Sequence, residues 1–208
     1  MDKKPQTLSP PGVATLLELH REWVQSVGKS GNQIKDESFV GVGIDFSSME
    51  LSEAELPGAT LNQSNLSHAQ LYGSILAGAS LVGADLSGAN LVKANLDEAD
   101  LTDSAMREVN AFRASFTRAN LRRATLAGAN LSRSFLFGAD LRDTDMSGSN
   151  LSLAGMTGAR LAGANLSGAT GVDSAILEWI DIGTEEPLRL QGQDAREYVL
   201  RAATLGHA

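Results

Sequence analysis

The chain has no cysteine in its 208 residues. That removes disulfides, thiolate nucleophiles and sulfur-ligated metals together. It also lacks any run of about 18 apolar residues, so no segment reads as a membrane-spanning helix. Between Met1 and Pro11 there is no apolar core of signal-peptide length, and an unsecreted, cytoplasmic protein is expected. A basic excess is missing too: the formal net charge is -8. That argues against a general nucleic-acid binder, which would carry a basic stripe. No HExxH or other metal spacing occurs, and His20, His68 and His207 fall in three separate segments. Gly28-Lys29-Ser30 resembles the end of a phosphate-binding loop, but Trp23 stands where that loop requires glycine. No catalytic residue, cofactor or metal is therefore expected, and the chain reads as a non-enzyme.

What the chain does have is a period. From Phe46 to Leu166 a bulky apolar residue returns at every fifth position, with Ala111 the one exception. Two residues before most of them sits a small side chain, usually alanine, as in the run Ala79, Ala84, Ala89, Ala94 and Ala99. A period of five fits neither a helix nor a flat strand. The unit must be a short extended piece followed by a corner, and four such pieces close a square coil. Stacked at the strand spacing of ~4.8 Å, the span amounts to about six coils and a rod of roughly 30 Å. Such stacks bury a continuous column and need caps at their open ends.

The flanks supply candidates for those caps. Ser9 and Pro10 open an amphipathic helix with Val13, Leu16, Leu17, His20, Trp23, Val24 and Val27 on one face, ended by Gly28. A lone helix of that length must bury its apolar face. At the other end Leu177, Trp179, Ile180, Leu188 and Leu190 can cover the last coil. Asp194 with Glu197 resembles a capping box that opens a short helix through Tyr198, Val199 and Ala202. The expected divisions are an N-terminal helical cap over 1–34, a repeat domain over 35–170 and a C-terminal cap with a short helix over 171–208.

Ala-Asp-Leu-Ser-Gly at 84–88, Ala-Asn-Leu-Val-Lys at 89–93, Ala-Asn-Leu-Asp-Glu at 94–98 and Ala-Asn-Leu-Ser-Gly at 164–168 resemble the A(D/N)LxX unit of the pentapeptide-repeat family. The resemblance implies a right-handed quadrilateral β-helix. With the two terminal helices, the expected fold is an all-β solenoid with α-helical N-terminal and C-terminal caps. Leu19, His20, Trp23, Ser26, Gly28, Lys29 and Gly31 resemble a lead-in that some members place before the first coil. Some members act on DNA gyrase as acidic rods that mimic duplex DNA, usually as dimers joined through C-terminal helices. The resemblance thus implies two further readings: a DNA mimic directed at a type II topoisomerase, and a homodimer through the C-terminal helix.

A twenty-residue coil lets the outer surface be sorted by wall. On the wall centred at Leu51, Leu71, Leu91, Ala111, Leu131 and Leu151, the preceding position holds Asn90, Asn110, Asn130 and Asn150, which can form an amide ladder. The next outward position holds Tyr72, Val92 and Phe112, and the one after it Lys93, Arg113 and Arg133. Phe135 and Phe137 point outward on the neighbouring wall. Exposed aromatic and basic residues in a row are the expected partner surface, joined by Arg118 and Arg122 of the same basic belt. Charge is segregated along the axis. Twelve acidic residues face two basic ones between Asp36 and Glu108, and seven arginines face three aspartates between Val109 and Thr170. Alternating sign favours a scaffold that binds a protein, with no direct nucleic-acid contact. The undersized Ala111 predicts a local bulge in the coil from Met106 to Arg123.

Overall fold

The computed structural model describes residues 39–205. The N-terminal helix and lead-in motif expected before Gly31 lie outside the described residues.

One unit shows how the rest is built. In Ala89-Asn90-Leu91-Val92-Lys93, Ala89 and Leu91 are buried and the other three face outward. Asn90 donates its amide to the Ala69 carbonyl of the preceding coil at 2.9 Å, and Leu91 donates to the Asn110 carbonyl of the next at 2.8 Å. Lys93 donates to the Phe112 carbonyl at 3.0 Å, and Ala89 closes the preceding turn on the Leu86 carbonyl at 3.0 Å. The one amide left, that of Val92, is taken by Asn90 Oδ1 at 3.3 Å. All five backbone donors are thus satisfied, which gives each letter of the motif its reason. Alanine admits the neighbouring wall, leucine fills the axis, and Asp or Asn closes an Asx turn on the amide two residues on.

Where serine replaces Asp or Asn, the preceding coil supplies the acceptor instead. Asn62 Oδ1 receives both the Ser80 hydroxyl at 2.7 Å and the Val82 amide at 2.9 Å. Asp97 Oδ1 likewise receives the Ser115 hydroxyl and the Thr117 amide.

The fifth residue of every unit makes the corner. From Gly43 to Gly168 these residues have φ between 54° and 80°, and the residue before each does not, which is the signature of a type II turn. Twelve of these corners are glycine and fourteen carry a side chain.

Four corners close one coil. Parallel bridges join residues twenty apart from Val40 with Thr60 to Asn150 with Thr170. Parallel pairs joined by a crossover take the right-handed sense, the hand the family resemblance implies. Val40, Thr60, Ser80, Asp100, Asn120, Asp140, Arg160 and Asp181 stack in one column, a rod of about 34 Å at ~4.8 Å per step.

The coil around Ala111 does not bulge. Ala111 donates to the Asn130 carbonyl at 2.9 Å, Asn110 pairs with both Asn90 and Asn130, and Arg113 turns the corner at φ 59°. The nearby interior positions are oversized in compensation: Val109 stands where most units have alanine and Phe116 where most have leucine, both fully buried. The amide ladder is also less continuous than the spacing suggests. Rungs run from Asn90 to Gln70 and from Asn130 to Asn110, both 3.0 Å, while each Asn Oδ1 is engaged by its own turn amide.

At the C-terminal end one extra residue at the Gly171–Ser174 turn shifts the register, so that Gly155 pairs with Ile176 and Arg160 with Asp181. β1 (Trp179–Asp181) then pairs antiparallel with β2 (Arg189–Gln191), and α1 (Gly192–Leu205) follows directly. Asp194 lies in the first turn of α1, where its charge suits the helix dipole, and not at the cap. Ala195, Val199 and Ala202 form the buried stripe of α1, and Gly168 donates to the Ala203 carbonyl at 2.9 Å. Leu177 and Ile180 cover the last coil as expected. Leu188 does not, because its backbone is committed to Asp181 and Ile182 while its side chain faces out.

The cap is tied to the rod by a chain of charges. Arg142 and Arg160 both contact Asp140, and Arg160 also donates to Asp181 at 3.3 Å. Asp181 accepts the Gly183 and Leu188 amides as well, each at 2.9 Å. Burial pushes both carboxyls up, but Arg142 and Arg160 at Asp140, and those two amides and Arg160 at Asp181, hold each below the ordinary carboxylate value.

Two outcomes follow. Ser104 Oγ and Ser134 Oγ are buried without a partner, whereas Ser74 Oγ donates to the Leu71 carbonyl at 2.9 Å. Ser104→Ala and Ser134→Ala should each raise the unfolding free energy by about 1 kcal/mol, and Ser74→Ala should lower it by a similar amount; urea denaturation reads the sign directly. For Asp140 and Asp181 the folded pKa lies below the unfolded value of about 3.9. Their stabilisation is therefore complete above that pH and lost as pH falls through the folded values. Acid titration of unfolding should show this limb, and Asp181→Asn should flatten it; an identical acid limb in the variant contradicts the cap linkage.

Candidate interaction surface

The corner between the first and second walls gathers most of the side chains singled out from the sequence. Tyr72, Val92 and Phe112 occupy one outward column of the first wall, one residue per coil. Lys93, Arg113 and Arg133 form the corner column beside them, all exposed and all at φ 59–60°. Around the corner, Phe135 and Phe137 project from the second wall with ring centroids 5.9 Å apart. They are 45% and 36% exposed. Arg118 and Arg122 are placed elsewhere. Arg118 turns the next corner, and Arg122 sits on the third wall.

The difference between these cations is one of partners. Arg118 donates to the Glu98 carboxylate one coil below, with Nε–Oε1 3.1 Å. That hydrogen bond raises the guanidinium further above its ordinary range. Arg123 forks onto Asp103 with two contacts of 2.7 Å, and Arg122 reaches Asp143 at 3.9 Å. The border between acidic and basic coils is thus stitched by charge pairs, so half of the apparent basic belt is neutralised where it stands. Lys93, Arg113 and Arg133 form no ion pair among the described residues. Lys93 Nζ donates to the Tyr72 hydroxyl at 2.8 Å, and Arg113 lies 5.3 Å from the Phe112 ring centre. Both contacts hold the charge against an aromatic face without cancelling it. Arg107 is likewise exposed and unpaired, but it stands alone on the fourth wall between Ser87 and Ala127.

Three apolar residues extend the patch and were not picked out by composition. Ile75 replaces the usual Asp or Asn, Leu153 occupies a positive-φ corner, and Ile176 follows the register shift. Ile75 and Leu153 are visible once the sequence is written in columns of twenty, because each departs from the residue type its position favours. Ile176 is not, since that count puts it among the axial residues and only the one-residue shift turns it outward. The Phe137 ring lies over Gly155, where any side chain would collide with it. Trp179 covers Gly158 in the same way and is itself capped by the Arg189 guanidinium at 3.9 Å.

Among the described residues no group of three or more His, Asp or Glu side chains is placed to hold a metal, and no helix is long and apolar enough to cross a membrane.

No curated protein sequence matches the chain significantly. Among solved structures, the pentapeptide repeat protein Rfr23 from the cyanobacterium Cyanothece 51142 is 27% identical, over 48% of this chain and 85% of that one, with a TM-score of 0.41. HetL, a pentapeptide repeat protein involved in heterocyst differentiation regulation in Nostoc sp. strain PCC 7120, is 24% identical over 87% of this chain and 100% of that one, with a TM-score of 0.25. A trypsin-treated form of QnrB1, a plasmid-mediated fluoroquinolone resistance protein, is 20% identical over 62% of this chain and 66% of that one, with a TM-score of 0.48. The family model for pentapeptide repeats matches eight copies, covering 42–103 and 106–170. The chain belongs to the pentapeptide-repeat family.

Proposed function

We propose that the protein is a non-enzymatic interaction scaffold that binds a protein partner through the corner lined by Lys93, Arg113 and Arg133. One observation carries this reading. A left-handed conformation costs a residue with a side chain roughly 1–2 kcal/mol, and glycine occupies nearly half of the equivalent corners at no such cost. At Arg118 and Arg123 an intramolecular ion pair offsets the strain. At Lys93, Arg113 and Arg133 no carboxylate of the described chain does. A strained corner residue whose charge is left unneutralised within the chain points to function. Flanked by Tyr72, Phe112 and Phe135, the three charges form a surface suited to an acidic protein segment, with aromatic anchors beside cationic steering groups.

The acidic first half favours a second reading, a DNA mimic acting on a type II topoisomerase such as DNA gyrase. The unpaired cationic column is its difficulty, since a Lys- and Arg-rich DNA groove would be repelled there. Inhibition or protection of gyrase supercoiling at stoichiometric protein would favour the mimic over the scaffold. A homodimer through α1 would have to use the outward side of that helix, because its apolar stripe is already buried.

Arg113→Gly with Arg133→Gly separates function from folding. Glycine accepts the corner conformation, so stability should hold or rise by up to about 1 kcal/mol. Capture of partners from native lysate should fall at least about tenfold, the loss of roughly 1.4 kcal/mol. Partners retained at wild-type levels would mean that another surface binds them.

A further inference from the structure

Four of the exposed large apolar side chains gather within three successive coils: Phe135, Phe137, Leu153 and Ile176, the last 53% exposed. Their register is known. Phe135 pairs with Gly155 and Gly155 with Ile176, so the two large residues flank a glycine level in one column. In the adjoining corner column, Arg133 lies one coil before Leu153. One coil beyond comes the Asp173–Ser174 turn, whose Ser174 hydroxyl receives the Leu153 amide at 3.2 Å.

We infer that this surface is a self-association face, on which a second copy of the chain docks with its rod antiparallel to the first. The column pattern is self-complementary about Leu153. A two-fold axis across the rod at that level keeps each column facing its own counterpart and reverses the order of the coils. Leu153 then meets Leu153, Phe135 meets Ile176, and Arg133 meets the Asp173–Ser174 turn, where the exposed Asp173 carboxylate supplies the opposite charge. The levels are one strand spacing apart, ~4.8 Å, so all three matches occur together. An isologous interface requires this kind of self-complementary patch. The parallel two-fold arrangement fails the same test, because it sets Arg133 against Arg133 and Arg113 against Arg113. Within the described chain neither Arg133 nor Asp173 has an ion-pair partner; Asp173 uses only its carbonyl, which accepts from Arg196 Nη1 at 2.7 Å. Leu153 also repeats the sign of strain seen at the unpaired cations: φ is 58° at a corner where its neighbours Gly138, Gly158 and Gly163 avoid the cost. This inference stands on the apolar register and not on the partner reading, and its test involves no partner.

The test is sedimentation equilibrium of the full 208-residue chain. The wild type should reach twice the chain mass in the micromolar range. Leu153→Gly, which suits the corner conformation and so does not threaten folding, should weaken the dimer at least about tenfold. Arg133→Asp alone and Asp173→Arg alone should each weaken it by a similar factor, and the double reversal should restore it to within about threefold of wild type. A wild type that stays monomeric at about 100 μM overturns the inference. So does a dimer indifferent to Leu153→Gly, or a double reversal no better than either single change.

Discussion

Every fifth residue from Gly43 to Gly168 turns a corner with a positive φ, and the rest of the structure depends on that constraint. The corner fixes the coil at four units and hence the stacking offset at twenty residues. With the offset fixed, a side chain's column is set by arithmetic, and its level by the coil number. Interior leucines stack on leucines, turn amides meet Asx oxygens, and a charge at one corner lies one strand spacing from whatever the sequence places twenty positions away. The exterior is therefore a lattice of four walls and four corners on which sequence can vary freely, provided the corner conformation is tolerated.

That lattice separates structural charges from available ones. Glu98 with Arg118 and Asp103 with Arg123 are vertical neighbours that neutralise each other across the border between acidic and basic coils. Asp140, Arg142, Arg160 and Asp181 bind the hairpin of the C-terminal cap to the last coils. Among the described residues, the one column of cations that survives this pairing, Arg107 standing alone elsewhere, is the corner backed by aromatic side chains and continuous with an apolar patch toward the C-terminal end. The same corner thus offers two chemistries at different heights: cation and aromatic near Lys93 and Arg113, bare hydrocarbon near Leu153 and Ile176.

Much of this could be read from the sequence because the period is so regular. The axial column, the inward alanines and the outward Phe135 and Phe137 follow from counting, and the cap residues Leu177 and Ile180 from their apolar character. The misreadings arose where two positions acted together. Ala111 suggested a bulge when taken alone, but Val109 and Phe116 supply the missing bulk. Along the chain the basic belt from Arg113 to Arg133 contains no carboxylate, but Glu98 and Asp103 meet Arg118 and Arg123 vertically, twenty residues away. The contact of Arg160 with Asp181 could not be counted at all, since it depends on the one-residue shift at the Gly171–Ser174 turn. Asp194 looked like a cap because its spacing to Glu197 fits the motif, yet α1 begins at Gly192.

The central claim is that the arginines of this rod fall into two classes, paired and unpaired, set by the corner lattice. Phenylglyoxal labelling of the free protein, read residue by residue by mass spectrometry, tests it most directly. Arg113 and Arg133 should react well ahead of Arg118, Arg123 and Arg142, whose guanidinium groups are engaged by carboxylates. Equal rates across all five, or earlier reaction at Arg118 and Arg123, would contradict the account.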